Sequence, residues 1–384
     1  MQTVGEKLLK LNLFVAYYWP RCLGIVGFSW CRKKYVFLPS RFWMIYSVIF
    51  KVVTIVLLIF AGSYAGIEID IIKNNKVVMA VYVFNAFLRI FVIFSTFLYH
   101  WKRQGNFLDC ANKVLLIYKI FPKSGRKTVK TSLLLTLKLT NIIIMALCSV
   151  VIFVQLKTKP SWLFCFACVY DLHLSCLVQA MEYQFFTFVI LISGYYDVLQ
   201  LELFEILKST QSKPSQNNPS LNKRICRLSQ QYNNILKIAY NVNNIFQFQT
   251  LALICTAYAS SVSILFYHYA EMSMEISYSS LNGFIEIIGA LTFVSQPILL
   301  MLMGDMTSKN WSKSEKLLAS FLILQNLDDE IEKSLETLQY YFLQSQAQLN
   351  LCGLFTLTKP ISFAMLTSIL SRVIILIQFD IALN

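Results

Sequence analysis

Charged residues are scarce in this sequence, and their scarcity excludes an ordinary soluble domain. Asp, Glu, Lys and Arg make up 14% of the 384 residues, whereas soluble domains carry about 25%. Hydrophobic residues make up 57%, and the mean hydropathy is +0.57. The net charge of +14 suggests nucleic acid, but the basic residues lie between long apolar runs, which indicates membrane topology instead. The composition therefore predicts a polytopic membrane protein that binds no nucleic acid.

The motifs of common catalytic and metal sites are also missing. The three histidines lie far apart, without the HExxH spacing of a catalytic zinc site. There is no glycine-rich phosphate loop and no nucleophile elbow. Cys165 and Cys168 lie in an apolar run, which favours packing over metal or redox chemistry. The sequence therefore predicts a protein that is not an enzyme and has no cofactor.

Two features of secreted proteins are absent as well. None of the ten cysteines falls in a predicted outside loop, so we expect no structural disulfide. The first residues, MQTVGEKLLKLNLF, have acidic and polar breaks where a signal peptide has a continuous apolar core. We therefore expect the first span to target the chain to the membrane.

Seven apolar segments reach the ~17–25 residues that a helix needs to cross a bilayer. They predict an all-α polytopic membrane protein with seven transmembrane helices. The predicted spans are 42–62, 77–99, 133–154, 162–192, 246–268, 283–303 and 361–379.

Basic residues fix the orientation of these spans. Of the 34 Lys and Arg residues, 26 lie on the same side as the N-terminus, 4 lie in the opposite loops and 4 lie within spans. Because cytoplasmic loops collect Lys and Arg, we predict a cytoplasmic N-terminus and an extracellular C-terminus. The outside loops, 63–76, 155–161 and 269–282, are too short for an extracellular domain.

The cytoplasmic segments are longer and partly helical in pattern. Residues 209–220 form a polar linker between two helical extensions, 195–208 and 221–245, that continue spans four and five. Segment 313–351 has an apolar face at helical spacing, which suits either a contact with another subunit or packing within its own chain. That face comprises Leu327, Ile331, Leu335, Leu338, Phe342 and Leu349.

Ionisable side chains inside the spans need a partner or a cavity, because lipid cannot solvate them. For Lys51 and Arg89, internal pairing is favoured over a functional role. Asp171 and Glu286 fall in the outer half, where an outward-open cavity would hold a ligand, and a polar pair between spans is the equal alternative. Glu182 lies deeper in span four.

Aromatic residues are abundant, with 20 Tyr, 30 Phe and 6 Trp. Several lie in the outer halves of spans, where an aromatic pocket with few polar groups suits a small organic ligand. Membrane cores also use aromatic residues freely, so each one alone is a weak signal. The predicted ligand-binding residues are Tyr82, Phe166, Tyr170, Asp171, Tyr258, Glu286 and Phe293.

The last predicted span carries Ser371, Arg372 and Gln378 in an otherwise apolar helix. An Arg near the centre of a lipid-facing helix costs about 2.5–3.5 kcal/mol, and each Ile or Leu returns only about 0.3–0.6 kcal/mol. A polar face on this span therefore indicates contact with protein or water, as in a pore-lining helix.

The C-terminal residues resemble the signature of the insect gustatory receptor family. That signature reads Thr-Tyr, five hydrophobic residues, then Gln-Phe. Ser371 stands in the Thr position, Gln378 and Phe379 match, and Arg372 departs from the pattern by replacing Tyr. The upstream run at residues 352–357, Cys-Gly-Leu-Phe-Thr-Leu, is also similar to the family. The predicted topology agrees with the family along the whole chain.

The resemblance implies a ligand-gated, non-selective cation channel of four subunits, homomeric or heteromeric, in the plasma membrane of gustatory neuron dendrites. The last span of each subunit would line the pore, and a small-molecule tastant would bind among spans two to six. Carried over by position, Gln378 and Phe379 fall at the outer constriction, and Ile374 and Ile375 line the pore. Arg372 would affect subunit packing or ion selectivity.

The resemblance also divides the chain into four parts. Residues 1–41 form a cytoplasmic N-terminal segment, and residues 42–303 contain spans one to six with an outer-half ligand pocket. Residues 304–360 form cytoplasmic anchor helices, and residues 361–384 form the pore helix and an extracellular tail.

The type of ligand follows from one position. The sugar-sensing branch places Glu just after Thr-Tyr, whereas this chain has Val373 there. The resemblance therefore favours bitter or aversive compounds, with a sugar- or pheromone-sensing member as the alternative. A G-protein-coupled-type seven-helix receptor would need its N-terminus outside, against the distribution of Lys and Arg. A transporter would need paired broken spans, which the sequence lacks.

Overall fold

The computed structural model of this protein consists almost entirely of helices. Three parts of the chain named above lie outside the described residues: most of the predicted outside loops, residues 213–218 of the linker and the side chain of Glu286. The structure describes residues 2–31, 33–65, 76–118, 125–155, 161–212, 219–273, 280–322, 329–344 and 348–383.

The chain begins with a helix and a short antiparallel hairpin: α1 (Gln2–Cys22), β1 (Phe28–Cys31) and β2 (Val36–Pro39). Six long helices follow: α2 (Arg41–Ala65), α3 (Lys76–Tyr118), α4 (Gly125–Gln155), α5 (Trp162–Ser212), α6 (Pro219–Ser273) and α7 (Ser280–Leu322). The last elements are α8 (Asp329–Gln344), a second hairpin of β3 (Asn350–Leu351) and β4 (Phe355–Thr356), and α9 (Lys359–Leu383).

Each predicted span lies inside one of the long helices. Within the described residues, six helices are long and apolar enough to cross a membrane: α3 to α7 and α9. The remaining predicted span lies in α2, whose side chains are described only as far as Leu57. The helical extensions of spans four and five are confirmed, since α5 has 51 residues and α6 has 55. At ~1.5 Å per residue, both helices extend well beyond a ~30 Å hydrocarbon core.

Helix α5 is the centre around which the other helices pack. In its most apolar stretch 78% of the residues are buried, compared with 17% in α3 and in α9. Tyr183, Phe185 and Phe186 are each 1% exposed or less, although neighbouring positions on a helix point in different directions. A helix that is apolar and buried on all sides must be surrounded by protein.

The N-terminal helix α1 packs on this core. The Asn12 side-chain amide donates a hydrogen bond to the Thr136 hydroxyl at 3.0 Å, and the Tyr183 hydroxyl donates to Asn12 Oδ1 at 2.7 Å. Further along, Ala16 clusters with Ile142 and Tyr183. Because later residues of α1 meet later residues of α4, the two helices run parallel, and α1 lies beside the predicted third span.

An aromatic cluster joins the cytoplasmic extensions to α8. The ring of Trp311 lies 5.4 Å from Tyr196 and 4.7 Å from Phe342. The Tyr232 hydroxyl donates a hydrogen bond to Ser314 Oγ at 3.0 Å. The apolar face of α8 therefore packs within its own chain, which is one of the two alternatives that the pattern left open. The buried residues of that face are Ile331, Leu335, Leu338 and Phe342.

Helix α7 passes very close to the segment that leads into α9, and this contact predicts a cost for Gly304→Ala. A Cβ at Gly304 would lie 2.6 Å from the Leu357 carbonyl oxygen and closer still to its side chain. Since backbone atoms cannot rotate away, the substitution should cost about 1–3 kcal/mol. We expect a lower melting temperature of the purified protein in detergent.

Gly105→Ala is the matched control, because a Cβ at Gly105 meets nothing within 4 Å. Gly105 lies two residues after a break in the helical backbone at Arg103, so it is not in a helix interior and the melting temperature should change little. Equal melting temperatures for the two variants would contradict the close contact at Gly304.

Candidate functional site

A cavity of about 50 Å³ lies between five helices, α3 to α7. Its wall combines apolar side chains, such as Ile93, Leu253 and Phe293, with a polar strip. Three polar residues of α5 repeat at helical spacing (positions 175, 179 and 182), which places them on one face. The polar residues of the wall are Arg89, Ser175, Gln179, Glu182, Thr256, Ser260 and Gln296.

A buried ion pair closes one side of this cavity. Lys138 Nζ on α4 donates to Glu182 Oε1 on α5 at 2.6 Å, and also to the side-chain oxygen of Gln296 on α7. The side chains of Lys138 and Glu182 are 0% and 7% exposed. Because neither charge reaches water, each is stabilised by the other. These contacts also connect α4, α5 and α7.

A second ion pair joins α3 to α5. Arg89 Nη1 donates to Asp171 Oδ1 at 2.7 Å, and Arg89 also lines the cavity. The internal pairing predicted for Arg89 is present in the structure. For Asp171, the structure contains the polar pair between spans, although its side chain keeps 35% exposure.

The other predicted ligand-binding residues are spread around the cavity rather than gathered in it. Phe293 lines the wall. The rings of Phe166 and Tyr170 stack at 6.3 Å, and the Tyr170 hydroxyl donates to a backbone carbonyl of α2. Tyr82 packs where α3 and α6 meet near their outer ends. The side chain of Glu286 lies outside the described residues.

Lys138, Gln179 and Gln296 are among the polar residues at this site that the sequence reasoning missed. A signal for one of them was present, since Gln179 lies one turn from Ser175 and from Glu182 on an apolar helix. Polar side chains that repeat at such spacing indicate a face turned to protein or water. Gln296 and Lys138 each have one polar residue at such spacing, Thr292 and Asn141.

Helix α9 packs against three of the cavity helices, α6, α7 and α3. The hydroxyls of Tyr258 on α6 and Ser368 on α9 share a hydrogen bond at 2.8 Å. On the same side of α9, Met365 and Ile369 are buried against the core. Most of the predicted pore residues are exposed: Ile374 and Phe379 are 56% and 59% exposed, Arg372 and Gln378 are also exposed, and Ile375 is half-buried.

The buried ion pair predicts a non-additive pattern of stability. Lys138→Met or Glu182→Leu alone leaves one buried charge without its partner, so each should cost about 3–5 kcal/mol. The double variant removes both charges and should be more stable than either single variant. Thermal unfolding of the purified protein in detergent measures this cycle.

The exposed pair Lys113–Asp109, at 2.6 Å with side chains 42% and 58% exposed, provides the control. Lys113→Met should change stability by less than about 1 kcal/mol. A Lys138–Glu182 double variant whose loss equals the sum of the single losses would contradict mutual stabilisation of the two charges.

Comparison with known proteins gives one consistent result. The sequence profile of the 7tm Chemosensory receptor family matches residues 13–383. Two Drosophila melanogaster sequences, assigned as gustatory receptors 36a and 59d, are 20% and 21% identical to this chain. The alignments cover 96% and 97% of this chain, and 97% and 98% of those sequences.

Solved structures share the fold. The insect olfactory receptor OR5 from Machilis hrabei matches with a TM-score of 0.68 and 13% identity, over 98% of this chain and 99% of that one. The same receptor in complex with eugenol matches with a TM-score of 0.61 and 14% identity, over the same shares of both chains. The fold and the sequence profile identify a multi-pass membrane receptor rather than an enzyme. The resemblance seen in the C-terminal residues is confirmed, and the chain belongs to the 7tm Chemosensory receptor family.

Proposed function

We propose that this receptor is a gustatory ligand-gated, non-selective cation channel that responds to bitter or aversive compounds. The observation that carries the proposal is the exposure of two polar side chains on the apolar helix α9. This helix is long enough to span, yet Arg372 and Gln378 are exposed on it. Lipid would leave the charge unsolvated, so water and further copies of α9 are the suitable surroundings. Four copies around an axis would enclose a water-filled path.

The assembly and location follow from the same proposal. Residues 361–384 would form the pore helix and tail, and residues 304–360, with α8, would anchor the subunits in the cytoplasm. Residues 42–303 would hold the ligand pocket, and residues 1–41 the N-terminal segment. The channel would be a tetramer, homomeric or with other receptor subunits, in the plasma membrane of gustatory neuron dendrites.

The cavity is the proposed ligand site, and α6 is the proposed link to the pore. The related olfactory receptor OR5 was solved in complex with eugenol, which supports a small-molecule ligand for this chain. Ala257 of α6 lines the cavity, and the next residue, Tyr258, is hydrogen-bonded to Ser368 of α9. A ligand that shifts α6 would therefore act on the pore helix in part through this hydrogen bond.

Current recording tests the proposal directly. Cells that express this chain would be exposed to bitter compounds and to sugars while G-protein signalling is blocked. A cation current evoked by bitter compounds under the block supports the channel, and a current that disappears under the block overturns it. A current evoked by sugars alone would contradict the specificity for bitter compounds but would still support a ligand-gated channel.

Substitutions at the outer end of α9 should change conduction. Gln378→Ala and Phe379→Ala remove the side chains proposed to form the constriction, so we expect altered rectification or a raised basal current. Phe363→Ala is the matched control, because Phe363 is 57% exposed, close to the 59% of Phe379, but lies near the opposite end of α9. Unchanged currents in both outer variants would remove these residues from the pore.

The hydrogen bond between α6 and α9 should affect gating more than ligand binding. Tyr258→Phe and Ser368→Ala each remove it, and we expect either variant to raise the ligand concentration needed for half-maximal current. The double variant should add little, because the bond is already lost. The measurement is the dose–response curve beside the ligand affinity of the purified receptor. Additive shifts in the double variant would show that the two hydroxyls act independently.

A further inference from the structure

Helix α1 has two opposite faces, and the chain covers only one of them. Leu9, Asn12 and Ala16 are buried at a spacing of three or four residues, and Asn12 and Ala16 contact α4 and α5. The opposite face is exposed along the whole helix, and we call its residues the exposed stripe of α1. They are Val4, Lys7, Lys10, Leu11, Phe14 and Tyr18.

The exposed stripe changes from basic to apolar along the helix. Lys7 and Lys10 lie in its first half, whereas Leu11, Phe14 and Tyr18 form its second half. These three side chains are 55%, 55% and 37% exposed, and the rings of Phe14 and Tyr18 lie 4.1 Å apart. Contiguous apolar side chains on one exposed face indicate a surface that contacts something other than water.

Helix α4 runs beside α1 in a fixed register. A Cβ at Gly5 would lie 2.8 Å from the side chain of Val129, so the backbone of α1 is very close to α4 there. Two turns later, the Asn12 amide donates to the Thr136 hydroxyl at 3.0 Å. These contacts place the basic half of the exposed stripe level with the first turns of α4.

The exposed side of α4 makes the same change at nearly the same level. Lys130 is exposed, and the exposed residues of the next two turns include Leu133 and Leu137, at 64% and 52%. The predicted third span begins at residue 133. Both helices therefore pass from lysine to apolar side chains at the cytoplasmic boundary of the predicted membrane, where lipid headgroups give way to acyl chains.

Positive charge is concentrated around this surface. Residues 1–41 and 100–130 together hold 15 Lys and Arg residues but only 2 acidic residues. Residues 195–245 and 304–360, which include the cytoplasmic extensions and α8, hold 11 basic and 10 acidic residues. Because the second region is almost neutral, the excess is local to the surface of α1, α3 and α4. Such an excess beside a membrane attracts anionic lipids of the inner leaflet.

The lysines of this surface are available to an anion. Among the described residues, Lys7, Lys10 and Lys130 form no ion pair with a carboxylate. Glu6 is the single acidic residue in residues 1–41, and it is not paired with any of the three. A lipid phosphate or carboxylate would therefore meet cations that the described part of the chain does not neutralise.

The position of α1 in the bundle also favours contact with lipid. Helix α1 packs on α4 and α5, whereas the pore helix α9 packs on α3, α6 and α7. A tetramer arranged around α9 would leave α1 at its periphery. This step rests on the proposed function, whereas the pattern of the exposed stripe does not depend on it.

We propose that the exposed stripe of α1, together with Lys130 of α4, binds the anionic lipids of the inner leaflet. The apolar half lies among the acyl chains, and the three lysines contact the charged headgroups. This is the arrangement of an amphipathic helix at a membrane interface. Since Asn12 joins α1 to α4 and α5, bound lipid also holds the N-terminal helix against the bundle.

Native mass spectrometry of the purified full-length receptor measures the lipid preference. Delipidated receptor in an uncharged detergent is mixed with equal amounts of phosphatidylserine and phosphatidylcholine that have the same acyl chains. We expect more bound phosphatidylserine than phosphatidylcholine. Replacing Lys7, Lys10 and Lys130 together by Gln should lower this ratio about 5-fold or more, since one Lys near an anionic surface contributes about 5-fold.

A second triple variant is the matched control. Lys223, Arg224 and Lys333 are also exposed, but they lie in the almost neutral cytoplasmic region. Replacing them together by Gln removes the same charge and should leave the lipid ratio unchanged. Both triple variants change only exposed side chains, so their melting temperatures should equal that of the unmodified receptor.

The apolar half of the stripe is tested by fluorescence. Phe14→Trp adds one indole to the six tryptophans of the chain, and its emission is obtained by difference from the unmodified receptor in nanodiscs. Phospholipids brominated on their acyl chains should quench this added emission. Leu343→Trp is the control, because Leu343 is 67% exposed on the cytoplasmic helix α8, and its added emission should persist.

Several results would overturn the inference: equal binding of the two lipids, a ratio that survives the triple substitution in α1 and α4, an equal loss in the control triple variant, or an added emission at position 14 that brominated lipids do not quench. Inositol trisphosphate bound in preference to phosphatidylserine would also overturn it, because a soluble anion would then occupy the surface. Binding is measured without current. A receptor with the expected lipid preference that conducts no ions refutes only the channel, and a conducting receptor without the preference refutes only this inference.

Discussion

Hydrocarbon cannot solvate an ion, and this constraint decides where the charged side chains of the spans lie. Arg89 and Lys138 are each placed against a carboxylate of α5, so that neither charge depends on lipid. The Lys138–Glu182 pair is the more demanding of the two, because both side chains are buried. It constrains the rotation and depth of α4, α5 and α7 relative to one another.

The central position of α5 connects this constraint to the candidate site. A helix that is buried all round can contribute polar groups only toward other protein elements or toward an enclosed space. Glu182 forms an ion pair with Lys138 on α4, and both Glu182 and Gln179 line the cavity. The groups that stabilise the bundle and the groups that would recognise a ligand are thus parts of one polar strip. Substitutions there will affect folding and recognition together.

The need to solvate charged side chains also applies to helix α9, but its surroundings differ. One side is held to the core by Met365, Ile369 and the hydrogen bond of Ser368. Nearer the C-terminal end of the helix, Arg372 and Gln378 are exposed, without a cover from their own chain. In the proposed tetramer, water and neighbouring subunits surround these side chains. Assembly would then solvate them, and the same water-filled path would conduct ions.

Much of the architecture was predictable from the sequence, because hydropathy, helix length and the positive-inside rule act locally along the chain. The seven spans and the long extensions of α5 and α6 were predicted in this way, whereas the family was inferred from a resemblance of the C-terminal residues. The partners of Arg89 and Lys138 and the side of α8 that packs inward were not. These depend on the rotation and depth of helices that are distant in sequence: Lys138 and Gln296, for example, are 158 residues apart. Each residue determines its own preference for lipid, water or protein, and only the packing of all the helices decides which polar groups meet.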